Sequence, residues 1–103
     1  MFERQWALTL LETVVQRLHR EYEARGQEAL FLGLRFSITG DESAVPYDEL
    51  AAGLGMSEQA VRVAVHRLRQ RYRRVLREEI VQTVAEESEA EAELSDLRRI
   101  LAR

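Results

Sequence analysis

The run Gly55-Met56-Ser57 most constrains what this chain can fold into. Gly55 can take the positive φ that a helix-to-helix turn demands. Ser57 offers a hydroxyl to the free N–H groups at the start of a helix, and Glu58 suits the positive end of its dipole. Pro46 precedes Tyr47-Asp48-Glu49-Leu50-Ala51-Ala52-Gly53-Leu54 and fits a first helical turn, where its missing N–H costs nothing. Beyond Ser57, the residues Val61, Ala64, Val65, Leu68, Tyr72 and Val75 recur at helical spacing and mark one buried stripe. The stretch from Tyr47 to Arg77 therefore reads as a helix, a tight turn and a second, basic helix that continues to about Val84.

The remaining segments read as a helical scaffold. From about Glu3 to Arg25 the residues Phe2, Trp6, Leu10, Val14, Leu18 and Tyr22 recur every four positions, widened by Leu11 and Val15, which gives one apolar face with Trp6 as an anchor. Gly26 is a natural stop. Gln27 to about Ser37 is apolar nearly all round and is expected to be the most buried helix. Thr39-Gly40-Asp41-Glu42-Ser43 reads as a loop. Glu86-Glu87-Ser88-Glu89 breaks the apolar pattern with charge, and a last helix from about Glu89 to Ala102 places Leu94, Leu97, Ile100 and Leu101 on one face. The expected fold is all-α: a small bundle of about five helices containing a helix-turn-helix. It forms one domain over 1–103, with a scaffold at 1–44, the helix-turn-helix at 45–84 and an acidic C-terminal helix at 85–103.

A chain of 103 residues suits one modest core. With no cysteine, disulfides and thiolate metal sites are excluded. No apolar run approaches the roughly 20 residues needed to cross a bilayer, and the N-terminus lacks a signal-peptide cleavage site, so a cytoplasmic protein is expected. The formal charge of −3 argues against a nucleic-acid partner, but its distribution argues for one. Residues 57–77 hold seven Arg against Glu58 alone, while residues 1–56 and 78–103 are net acidic. A concentrated basic block in an acidic protein says more than the total. All fifteen basic residues are arginine, whose fork binds phosphates and guanine edges bidentately.

A helix that reads DNA needs an apolar strip to fix it to its domain, side chains near its N-terminal half that reach base edges, and flanking cations for phosphates. Here Arg62, His66 and Arg67 fall within the first three turns, and Arg69, Arg71, Arg73, Arg74 and Arg77 follow. Each phosphate neutralised releases counterions, so binding is expected to be strongly salt-dependent. Nothing in the sequence places His66 beside His19, and neither a metal site nor a cofactor is expected. An enzyme is not expected either: there is no nucleophile–base pairing and no glycine-rich phosphate loop.

At these residues the chain resembles region four of sigma-70 family RNA polymerase sigma factors, in particular the extracytoplasmic-function (ECF) group. The matching text is Tyr47-Asp48-Glu49-Leu50-Ala51-Ala52-Gly53-Leu54-Gly55-Met56-Ser57 followed by Ala60-Val61-Arg62-Val63-Ala64-Val65-His66-Arg67-Leu68-Arg69. The segment from Trp6 to Gly40 and the tail from Val81 to Leu101 resemble one ECF subgroup. The resemblance implies recognition of the −35 promoter element, with Arg62, Val63, His66 and Arg67 meeting bases. It places Ser57, Gln59 and Arg69 near backbone phosphates, where Arg71, Arg73 and Arg74 extend the basic surface. It also implies docking of apolar outer faces on the flap of the polymerase β subunit, with an anti-sigma factor as a further candidate partner. Region two, which binds the polymerase clamp and melts the −10 element, has no counterpart in the sequence, which implies an excised C-terminal domain or a stand-alone derivative.

Two other readings fit the same residues. One is a free-standing helix-turn-helix regulator that dimerises through its first or last helix, reading two half-sites a helical turn apart. The other is a protein-interaction module without DNA in its function. In that last reading the acidic tail folds over the basic helix and masks it, and even in the promoter-binding reading the tail is expected to temper DNA affinity, by long-range repulsion or by direct occlusion.

Overall fold

The computed structural model describes residues 4–39 and 45–101. Among these the chain forms five helices and no strand: α1 (Arg4–Ala24), α2 (Glu28–Leu34), α3 (Phe36–Thr39), α4 (Tyr47–Leu54) and α5 (Glu58–Leu101). Of the expected loop at Thr39–Ser43, Thr39 closes α3, and residues 40–43 lie outside the described residues, as does Phe2 of the first apolar stripe.

Two helices end in the same way, each on a glycine. At the end of α1, Gly26 takes φ 72°, its N–H reaches the Glu23 carbonyl at 2.9 Å, and the Gln27 N–H reaches the Tyr22 carbonyl at 2.8 Å. At the end of α4, Gly55 takes φ 66°, with Gly55 N–H to Ala52 at 3.4 Å and Met56 N–H to Ala51 at 2.9 Å. Both are the paired bonds that close a helix through a left-handed residue and satisfy its last carbonyls. Among the described residues, nothing beyond its chain neighbours lies within 4 Å of where a Cβ on Gly55 would sit, so the demand for glycine comes from the backbone angle and not from crowding.

The core gathers one stripe from each long helix. Val14, Leu18 and Tyr22 of α1 meet Phe31 and Leu34 of α2, Ala51 of α4, and Val61, Val65, Leu68 and Val75 of α5. Ala64 and Tyr72 pack partly buried at its edge, so the stripe expected for α5 is the one observed. Leu11, at 40% exposure, sits outside the face that α1 buries.

Two helical expectations are corrected. The segment after Gly26 is not one helix buried all round. It divides at Arg35 into α2 and α3, and Leu32 is 44% exposed. The Ser37 hydroxyl donates to the Leu34 carbonyl at 2.8 Å, a side-chain bond that competes with the helical ladder at this bend. The second correction concerns the acidic tail, which is not a separate helix. α5 runs unbroken through Glu86–Glu89 for 44 residues. The stretch contains neither glycine nor proline, and Glu and Ala are strong helix formers that outweigh screened repulsion between solvated carboxylates. Gln82 adds an i,i+4 hydrogen bond to Glu86 at 3.2 Å.

This continuity sets the shape of the molecule. A 44-residue helix is about 66 Å long, close to the full 70 Å length of the protein. Val75 is the last fully buried residue of α5, and every described residue beyond Thr83 is exposed. The acidic residues therefore ride on an arm pointing away from the bundle. Folding of the tail over the basic helix does not occur in this arrangement, because both are parts of one rod.

Candidate nucleic-acid interface

The basic surface is built on the first five turns of α5. Its start is fixed by Ser57, whose Oγ accepts the Ala60 N–H at 3.0 Å while its carbonyl accepts the Val61 N–H at 3.0 Å. Four buried side chains, Val61, Val65, Leu68 and Val75, then bind one side of the rod to α1, α2 and α4. On a helix the opposite side must face solvent, and there Arg62, Val63, His66 and Arg67 are all exposed, with Gln59, Gln70, Arg73 and Arg74 beside them.

Individual guanidinium groups differ in how freely they can meet a ligand. Arg62 is held across the turn. It donates to Glu58 Oε1 at 3.1 Å, and its guanidinium lies 5.2 Å from the centre of the Tyr47 ring. This contact with the first residue of α4 sets the side chain over the turn while leaving it 57% exposed. Arg69 leans toward α3, where its Nε donates to the Ser37 carbonyl at 3.4 Å. Arg71 is turned to α1: its Nε and Nη2 donate to the two Glu21 oxygens at 3.0 and 2.6 Å. These bonds hold the Glu21 carboxyl below its ordinary range and push the Arg71 guanidinium above its own.

The residues expected to meet phosphates therefore separate. Ser57 acts as a cap, Arg69 and Arg71 are engaged with neighbouring elements, and Arg73 and Arg74 stand exposed with Gln59. Arg67, Gln70, Arg71, Arg73 and Arg74 line a shallow cleft of about 390 Å³. The charge of Arg71 is offset by Glu21, so Arg67, Arg73 and Arg74 give this cleft its attraction for anions.

Three residues at this surface were not singled out by sequence reasoning. Arg25, at the closed end of α1, lies over the Tyr22 ring at 5.5 Å and shares with Arg67 and Val63 a depression of about 520 Å³. Tyr47 supports Arg62, and Glu21 clamps Arg71. Arg25 and Arg67 are distant in sequence and line one depression only because α1 packs against α5, a juxtaposition that no local pattern signals.

His66 stands exposed and remote in the chain from His19. His19 instead stacks on Phe31 at 5.1 Å, with Glu28 Oε1 3.7 Å from its Nε2. His19, Glu23 and Glu28 bring their polar atoms within 4.8 Å of one another. Two of the three are exposed carboxylates, whereas His19 Nε2 is itself buried and makes no hydrogen bond among the described residues.

Comparison with known protein families, with curated proteins and with solved structures finds no match to this chain.

Proposed function

We propose that α4, the turn at Gly55–Ser57 and the first turns of α5 form a helix-turn-helix that reads duplex DNA. On this reading the chain recognises the −35 promoter element as the C-terminal domain of an ECF-type sigma factor. Arg62, Val63, His66 and Arg67 meet base edges in the major groove, with Gln59, Arg73 and Arg74 at flanking phosphates. Arg71 stays paired with Glu21 and adds no net charge to the cleft. The observation that carries the reading is the division of α5 into two faces. One is packed by Val61, Val65 and Leu68, and the other presents Arg62, His66 and Arg67 to solvent directly after a capped tight turn.

The partners that follow are promoter DNA and the β flap of core RNA polymerase, with an anti-sigma factor as a regulator. Selection of bound duplexes from a random pool, with and without core polymerase, tests the reading. One enriched motif that persists without polymerase supports base reading by this helix. A pool that stays random under both conditions refutes it. A second reading, the free-standing dimeric regulator, draws on the exposed apolar residues of the α5 arm, among them Leu94, Leu97 and Leu101 at 52, 51 and 75% exposure. It predicts enrichment of two half-sites instead of one.

A further inference from the structure

The face of α5 that carries the arginines continues past the bundle, and its composition changes sign along the way. Arg73, Arg77, Ile80, Val84, Glu87 and Glu91 follow one another in steps of four, three, four, three and four residues. That spacing lays them in one straight seam on a helix. All six are exposed, including Ile80 at 37% and Val84 at 43%. The seam is therefore basic at one end, apolar in the middle and acidic at the other. Val81, 64% exposed, flanks the apolar centre.

We infer that this seam pairs with the same seam of a second copy of the chain, the two α5 helices running antiparallel about a twofold axis near Gln82. In that register Ile80 faces the partner's Val84, Arg77 faces the partner's Glu87, and Arg73 faces the partner's Glu91. The twofold repeats each contact, so the two apolar pairs are flanked by four ion pairs. A parallel pairing would set Arg77 against its own copy and Glu87 likewise, and like charges across a helix seam are unfavourable. Room for the partner exists, because its bundle would lie beside the stretch beyond Thr83, where every described residue of α5 is exposed. An isologous contact of this kind closes at two chains and does not propagate.

Pairing of two chains along this seam does not depend on DNA binding. Where that reading holds, the partner's arm from Leu94 onward lies alongside the stretch from Gln70 back to Val63. A duplex and a second copy then compete for one face, and the acidic tail masks the basic helix between chains and not within one.

Sedimentation of the whole chain over a concentration series, at low and high salt, tests the pairing. The expected result is a dimer that dissociates as salt screens its ion pairs. Arg77→Glu or Glu87→Arg alone weakens it by about tenfold or more, and the two together restore it. The helical circular dichroism of all three variants stays that of the parent, since both positions are exposed. Because the chain has no cysteine, orientation is read directly: Ile80→Cys with Val84→Cys cross-links the dimer on oxidation, and Val84→Cys alone does not. A monomer at every concentration overturns the inference. So does a dimer indifferent to the single reversals, one not rescued by the double reversal, or one cross-linked through Val84→Cys alone. A monomer that still binds DNA overturns only the pairing. A dimer that does not bind DNA overturns only the function proposed above.

Discussion

The Arg71 guanidinium grips both oxygens of the Glu21 carboxylate, at 3.0 and 2.6 Å, and so fastens α5 to α1 across a separation of 50 residues in the chain. The pair is partly shielded, with about a quarter of each side chain exposed at 30% and 24%. Glu21→Gln should cost about 1 kcal/mol at neutral pH. The folded-state pKa of Glu21 is lowered, chiefly by the hydrogen bonds from Arg71. Its contribution is therefore present above the ordinary carboxylate value and is lost as pH falls through the lowered one. Urea melts of parent and variant should differ at pH 7 and converge in strong acid.

Gly55 ends α4 at φ 66°. Gly55→Ala forces a side chain into the left-handed region and should destabilise the fold by about 1 kcal/mol. Thermal unfolding checks the loss. Gly53→Ala, inside α4 with open space around it, should have the opposite sign because alanine favours helix.

Apolar residues on the two halves of α5 should respond differently to truncation. Leu68 is fully buried, and Leu68→Ala should cost about 2–5 kcal/mol through lost burial and the cavity left behind. Leu97 is 51% exposed, so Leu97→Ala should leave the melting of the bundle near that of the parent. Chemical denaturation at low protein concentration measures both without interference from self-association.

For the proposed DNA reading, Arg62→Ala and Arg67→Ala should each cost about 1–3 kcal/mol on a selected duplex and relax its sequence preference. Arg73→Ala should weaken binding to all sequences alike and flatten the salt dependence by about one counterion. Titrations at several salt concentrations separate the two behaviours. If Arg62→Ala and Arg67→Ala both bind like the parent, α5 does not read bases.

Much of the fold was legible because local chemistry dictated it. The Gly55 stop, the Ser57 cap and the stripe from Val61 to Val75 depend on neighbours within a turn or two, and the structure has each of them. The exposure of Arg62, Val63, His66 and Arg67 followed from the same periodicity, since burying one face of a rod leaves the other outside. Local pattern misled at Glu86–Glu89, where a run of acids reads as a break although each residue favours helix and nothing in the run stops one.

What only the tertiary structure decided is which arginines are spent inside the fold. Sequence treats the seven arginines between Arg62 and Arg77 as one basic block. Packing α1 against α5 commits Arg71 to Glu21 and brings Arg25 beside Arg67, while α3 draws in Arg69. Backbone caps and apolar spacing are short-range properties written into consecutive residues. The partner of a charged side chain depends on which helix arrives beside it, and that is settled only when the core closes.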